Sequence, residues 1–213
     1  MRRRVLPSDQ VIHVIDDDAD VRQSLAFLLS TAGLAVRIYE SAVAFLEALP
    51  NVQDGCIVTD IRMPEMDGLE LQRKLNAAKS TMPVVVITGH GDVALAVEAM
   101  KAGAVDFIEK PFDDEHLLST IRSALARHEG DRERGSKAAE IRSRLALLSE
   151  RERQVLDGLV AGKPNKVIAY DLGISARTVE IYRANVMTKM QADSLSGLVR
   201  MVLVDAASPT ALR

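Results

Sequence analysis

Two hydrophobic periods divide the chain. Across roughly its first 126 positions, short β-branched runs alternate with stretches whose apolar residues recur every three or four positions. The spacing predicts strands at 11–15, 35–39, 56–59, 84–88 and 105–108. It predicts helices at 21–32, 42–49, 68–78, 93–102 and 115–128; Val21, Leu25, Leu28 and Leu29 show the helical step. Strands that alternate with helices imply right-handed crossovers and a doubly wound five-stranded parallel sheet with helices on both faces. The continuously apolar runs Val84–Ile87 and Ile57-Val58 suit strands buried on both sides.

From Leu145 to Val204 the strand period disappears. Ser149 with Glu152 three residues on forms a capping box that opens a helix reaching about Val160. Gly162-Lys163-Pro164-Asn165 reads as a turn, followed by a short helix at 166–172. Gly173-Ile174-Ser175 reads as a tight turn before a longer helix at 176–190, and a last helix runs from about Ser194 to Val204. Two helices joined by a short glycine turn fit a helix-turn-helix in a small all-α domain. On the longer helix Val179, Tyr182, Val186 and Met190 form the inward stripe. Arg177, Glu180, Ile181, Ala184 and Thr188 face elsewhere and would suit a major groove. A helical bundle with a solvated basic face would show the same spacing.

Between these halves lies ARHEGDRERGSKAAEIRSR at 126–144. It is polar, with Gly130 and Gly135 inside it, and each glycine costs a helix about 1 kcal/mol relative to alanine. The chain is therefore read as domain 10–126, a semi-flexible linker at 127–143 with helix over part of it, and domain 144–206. A small, polar, frayed tail follows.

Charge sharpens this division. Residues 1–126 carry 12 Lys+Arg and 19 Asp+Glu, whereas residues 127–213 carry 15 and 11. An acidic half suits a cation and a basic half suits nucleic acid, so the two are expected to have different partners. At 213 residues and 47% apolar content the chain can bury a sizeable core. No apolar run approaches a bilayer span, so no membrane partner is expected. The basic start lacks the apolar stretch of a secretory signal. The single cysteine, Cys56, can form neither an internal disulfide nor a cysteine-based zinc site, and a reducing cytoplasm is the simplest location. Cys56 reads as buried strand filler. His13, His90, His116 and His128 lack metal-ligand spacing.

Ligands of a parallel sheet sit beyond the carboxyl ends of its strands. The first predicted strand is followed by Asp16, Asp17 and Asp18, and the third by Asp60. The fourth ends in Thr88-Gly89, and the fifth leads into Lys110-Pro111. Crowded carboxylates repel one another unless a cation intervenes, and oxygen-only ligands favour Mg²⁺ or Mn²⁺ over zinc. Lys110 offers a point charge and Thr88 a hydroxyl to phosphate oxygens. So neutralised, an aspartate carboxylate could attack a phosphoryl group. Singly these residues are ordinary: an aspartate after a strand usually serves a turn or a helix cap. Their joint placement at four strand ends is the informative feature.

Asp16-Asp17, Asp60-Ile61-Arg62-Met63-Pro64, Thr88-Gly89-His90-Gly91 and Lys110-Pro111-Phe112 together resemble the receiver domain of two-component response regulators. The resemblance implies a flavodoxin-like fold in which Asp60 accepts a phosphoryl group from a sensor histidine kinase. It implies that Asp16, Asp17, Asp60 and the Arg62 carbonyl bind Mg²⁺, and that Thr88 and Lys110 bind phosphoryl oxygens. It also implies a cis Lys110-Pro111 peptide. Phe107 fits the family's switch aromatic, which turns inward as Thr88 is drawn to the phosphate. Haloacid-dehalogenase-like phosphatases place a second aspartate two positions after their nucleophile. Arg62 stands there instead, which argues against turnover of external phosphoesters.

Leu148-Ser149-Glu150-Arg151-Glu152, Asn165-Lys166-Val167-Ile168-Ala169, Ser175 and Thr178-Val179-Glu180 resemble the LuxR-type DNA-binding domain. That resemblance puts Glu180, Ile181 and Ala184 nearest base edges and Lys166, Thr178, Arg183 and Lys189 beside phosphates. Tyr182 departs from the histidine common in that family. Residues 145–213 carry a net charge of only +2, so a lone domain should bind DNA weakly and pairing should help. Both halves together, including the Gly89-His90-Gly91-Asp92 motif and Val105-Asp106-Phe107-Ile108-Glu109-Lys110-Pro111-Phe112, are similar to the FixJ subfamily of response regulators. This implies an activator of transcription that is not an enzyme beyond its own phosphorylation and dephosphorylation. It also implies a homodimer when phosphorylated, with Val97 and Lys101 at the dimer face, and double-stranded DNA and RNA polymerase as partners. The rival readings are a phosphohydrolase and an interaction module whose helical domain binds protein.

Overall fold

The computed structural model describes residues 10–89 and 93–206. The basic start, the tail beyond Ala206, and His90, Gly91 and Asp92 of the Gly89-His90-Gly91-Asp92 motif lie outside the described residues. The chain divides into two compact units, Met1–Gly130 and Asp131–Arg213.

In the first unit, five parallel strands are ordered β2-β1-β3-β4-β5. They are β1 (Val11–Ile15), β2 (Ala35–Tyr39), β3 (Gly55–Asp60), β4 (Val84–Thr88) and β5 (Asp106–Glu109). Alternation along the strands sorts side chains to two faces. Ile12, Val14, Val58, Val85 and Ile87 pack with Leu25 and Leu29 of α1 (Ala19–Thr31) and Leu117 and Ile121 of α5 (Asp114–Ala146). Ile15, Ile57, Val84 and Val86 face Phe45 of α2 (Ala42–Ala48), Leu71 and Leu75 of α3 (Gly68–Ala77), and Ala99 of α4 (Val93–Lys101). Gly55 permits the close start of β3, because a Cβ there would fall 1.8 Å from the Val11 carbonyl oxygen. β3 runs one residue further than its apolar run suggests, so Asp60 ends the strand, opposite Ile87 of β4.

The expected partly helical linker is a helix throughout: α5 continues without interruption to Ala146, through Gly130 and Gly135. Ion pairs along the helix work against the cost of the two glycines. Asp131 with Arg134, Glu133 with Lys137 and Glu140 with Arg144 repeat at helical steps, each supporting the helix by a few tenths of a kcal/mol, roughly 0.2–0.5. His128, itself buried, adds a tertiary tie through Nε2 to both oxygens of Asp54, at 3.0 and 3.1 Å.

The second unit contains α6 (Glu150–Val160), α7 (Asn165–Leu172), α8 (Ala176–Met190) and α9 (Leu195–Ala206). Val155, Leu159, Ile168, Val179, Val186, Met190 and Leu198 form its core together with Ile141. The Ser149–Glu152 capping box is present in both directions. Gly173, at φ 65°, ends α7 in the left-handed region that glycine adopts without steric cost, and Ser175 caps α8 through Thr178 N. Among the described residues no helix is long and apolar enough to cross a membrane.

Candidate functional site

The carboxyl ends of β1, β3, β4 and β5 share one rim. Lys110, just past β5, places its ammonium 2.7 Å from Asp60 Oδ1 and 3.0 Å from Asp16 Oδ2. The Asp60 Oδ2 atom accepts from Arg62 N at 2.7 Å. Thr88 closes β4 one position beyond the residue paired with Asp60, and it is buried. The Lys110 backbone N–H donates to the Thr88 carbonyl at 2.7 Å, so these two residues are joined through the main chain. The Lys110-Pro111 peptide is cis. Gly68 opens α3 against the back of this site: a Cβ there would lie 2.5 Å from the Asp60 carbonyl oxygen.

Asp16 is buried and each of its polar groups is engaged. Its N–H donates to the Tyr39 carbonyl, and its Oδ1 accepts from Asp18 N at 2.9 Å. Its carbonyl accepts from Arg22 Nη1 at 2.6 Å. Burial pushes the Asp16 carboxyl above the usual carboxylate range, against the hydrogen bond from Asp18 and the attraction of Lys110. Burial also works against the Lys110 ammonium. Hydrogen bonds to Asp60 and Asp16 outweigh it and hold Lys110 above the ordinary lysine value. Asp17, by contrast, is exposed at the mouth.

This donor set fits a magnesium-type cation. Its side-chain donors are oxygens only, which suits a hard divalent cation, and one carboxylate, that of Asp17, faces solvent. Among the described residues no three or more His, Cys, Asp or Glu side chains are grouped so that they could hold a metal ion by themselves. The positive charge between Asp16 and Asp60 is that of Lys110. Cys56 offers no competing chemistry: burial pushes its thiol up to about 12. His13 is likewise a satisfied strand residue, with Nε2 donating to the Gln53 carbonyl at 2.8 Å.

Phe107 of β5 points outward and is 39% exposed. Val97 and Met100 of α4 are exposed apolar residues, and Lys101, one turn beyond Val97, is exposed as well.

In the second unit, α8 presents Glu180, Ile181 and Ala184 to solvent, as its spacing predicts, and Ile181 is 56% exposed. Lys166 of α7 is exposed, while Arg183 and Thr178 are half-buried. Thr178 Oγ1 lies 2.8 Å from Ser175 Oγ at the helix cap. Lys189, expected beside phosphate, is engaged within the unit. Its ammonium donates to the buried Glu152 carboxylate at 2.7 Å and to the Leu147 carbonyl at 3.2 Å. The Lys189 hydrogen bond, with the backbone bond from Ser149, holds Glu152 below the ordinary glutamate value. Sequence spacing gives no sign of this tie, because the two residues stand 37 positions apart.

Comparison with known proteins accounts for both units. The response regulator receiver domain family matches residues 12–122. The luxR family of bacterial regulatory proteins matches residues 146–202. The chain is 57% identical to the transcriptional regulatory protein FixJ of Azorhizobium caulinodans, over 96% of this chain and 97% of that protein. It is 55% identical to FixJ of Rhizobium meliloti, over 95% of this chain and 100% of that one. Among solved structures, full-length FixJ from B. japonicum is similar at 53% identity and a TM-score of 0.61, covering 93% of this chain and 98% of that one. The response regulator StyR is similar at 40% identity and a TM-score of 0.82, covering 92% and 99%.

Proposed function

We propose how the two units act from the premise that the chain belongs to the FixJ-like response regulators of two-component systems. It is a phosphorylation-activated transcription regulator, with a receiver domain joined to a LuxR-type DNA-binding domain. A receiver domain implies a histidine kinase as phosphoryl donor, and a LuxR-type domain implies double-stranded DNA as target.

Asp60 is the phosphoacceptor in this reading. Its carboxylate oxygen attacks the phosphorus of the donor's phosphohistidine; the new P–O bond forms as the P–N bond breaks, and the imidazole leaves. The observation that carries the reading is the Lys110 ammonium in contact with both Asp60 and Asp16. Lys110 is placed to follow the charge onto the phosphoryl oxygens, and the Thr88 hydroxyl can donate to another of them. Asp16, Asp17, Asp60 and the Arg62 carbonyl would hold Mg²⁺, or Mn²⁺. When bound, that cation neutralises the carboxylates and the arriving phosphoryl group. Arg62 supplies no general acid, in keeping with a self-limited phosphorylation and dephosphorylation rather than turnover of external phosphoesters.

The output is a population shift. A phosphoryl group can favour a conformer only by binding it better. Drawing Thr88 inward opens space that the outward Phe107 can fill, which alters the face carrying Val97 and Lys101 and favours a homodimer. Paired LuxR-type domains would then place two α8 helices on a two-fold site. Glu180, Ile181 and Ala184 would lie at base edges and Lys166, Thr178 and Arg183 at the backbone, ready for RNA polymerase. Treatment with acetyl phosphate and Mg²⁺, followed by size-exclusion chromatography with light scattering, tests the proposal. A shift from monomer to dimer is expected. An unchanged mass, with the acyl phosphate present, would contradict it.

A further inference from the structure

We infer that Arg22 is a positioning residue for the cation site: it staples the β1–α1 loop so that Asp16 and Asp17 are presented together. This rests on the reading that these two aspartates hold Mg²⁺.

The loop 16–18 carries both candidate ligands, and they are held differently. Asp16 is anchored on the β2 side by its N–H to Tyr39 and within the loop by Oδ1 to Asp18 N. Asp17 is exposed, so the direction of its carboxylate depends on the backbone to either side. Arg22 grips that backbone at both ends. Its own N–H donates to the Asp18 carbonyl at 3.0 Å as part of α1. Its guanidinium reaches back six residues and donates to the Asp16 carbonyl at 2.6 Å. One residue thereby spans the Asp17 peptide, and helix α1, whose N-terminus is capped by Asp18, transmits its rigidity to the loop.

Two effects of Arg22 on a bound dication oppose each other. Its charge repels Mg²⁺, whereas its hydrogen bond fixes the ligands. The bond is short and charge-assisted, and its acceptor belongs to a residue with only 3% of its surface exposed. Without the donor, that buried carbonyl lacks a partner, and the loop must shift to find water. Mg²⁺ demands near-ideal octahedral geometry and tolerates such slack poorly. Positioning therefore outweighs repulsion.

Isothermal titration of the full chain with MgCl₂, without any phosphodonor, distinguishes the two effects. The variants are Arg22→Ala, Arg22→Gln and Arg22→Lys, each checked for an intact fold by thermal unfolding in EDTA. Positioning predicts that Arg22→Ala and Arg22→Gln weaken Mg²⁺ binding by roughly tenfold, which is about 1.4 kcal/mol. Arg22→Lys, which keeps a cationic donor on a long stem, should recover part of the loss. High Mg²⁺ should restore the rate of labelling by acetyl phosphate in all three. Affinity equal to or tighter than wild type in Arg22→Gln would overturn the inference and leave the arginine as an electrostatic brake. If Arg22→Ala does not fold, the Gln and Lys variants decide. If the wild-type chain itself takes up no Mg²⁺, the cation reading fails and the role of Arg22 falls with it, whereas a wild type that binds while Arg22→Gln binds equally well overturns the role of Arg22 alone.

Discussion

At the scale of single residues, one ammonium lies between two carboxylates that the proposed cation would also use. Lys110 occupies the position between Asp16 and Asp60, so in the proposed reading Mg²⁺ would have to share them with it. Lys110→Ala should remove this competition. Its stability should fall in EDTA, because the buried Asp16 loses its counter-charge. It should then rise more steeply with added Mg²⁺ than that of wild type, by linkage of binding to folding. Thermal unfolding across a Mg²⁺ titration checks this, and equal slopes for the two proteins would argue against a shared site. The placement of Asp60, Thr88 and Lys110 on one rim was legible in the sequence because strand ends of a parallel sheet converge there. Arg22 was not: its role depends on a side chain reaching back to a main-chain carbonyl, and residue identity carries no trace of that. Gly68 was legible only as a helix start, since its close approach to the Asp60 carbonyl is a tertiary fact.

At the scale of elements, α5 and the capping box of α6 show local preference and context trading places. Strand and helix positions followed from periodicity, and the β1, β2, β4 and α8 boundaries match the sequence reading. The continuity of α5 did not follow. Its glycines argue for a break, but ion pairs along the helix and the burial of Ala138 and Ile141 carry it through. Beyond the adjacent residues and the helix's own backbone, no atom lies within 4 Å of a Cβ placed at Gly130 or Gly135. Changing either to alanine should therefore stabilise the helix by about 1 kcal/mol, read as slower amide exchange across residues 127–143. A different trade governs Lys189. Because it neutralises the buried Glu152, Lys189→Ala should chiefly destabilise the helical unit. Lys166→Ala should leave stability unchanged while lowering the salt slope of DNA binding by about one. Urea unfolding alongside duplex titrations at several salt concentrations separates them. A Lys189→Ala variant of wild-type stability with a reduced salt slope would return that residue to the phosphate set.

At the scale of the whole molecule, the acidic receiver and the basic DNA-binding unit should fail under acid in different windows. Burial holds the His13 imidazole below the ordinary histidine value, with Arg37 acting in the same direction and the Gln53 carbonyl and Asp54 opposing. Its folded pKa is thus below the ordinary value of about 6.5. The unfolded chain binds a proton more readily, so this contribution is fully present above about pH 6.5 and is lost as pH falls through the folded value. Glu152 is also depressed, but from about 4.5, so its contribution to the helical unit persists until the solution is more acidic. Denaturant unfolding followed separately in the two units should show the receiver weakening first as pH drops below neutral. Simultaneous loss of both units would count against this assignment.

The coupling of these units is the central claim, and DNA affinity before and after phosphorylation tests it most directly. Fluorescence anisotropy of a labelled two-fold duplex would be followed with wild type and Asp60→Asn, each with Mg²⁺ and with or without acetyl phosphate. Intact mass would be recorded on the same samples. The account predicts one added phosphoryl group and markedly tighter binding in wild type, and neither change in Asp60→Asn. Equal labelling of both proteins, or a phosphorylated wild type that binds no better than the untreated protein, would contradict it.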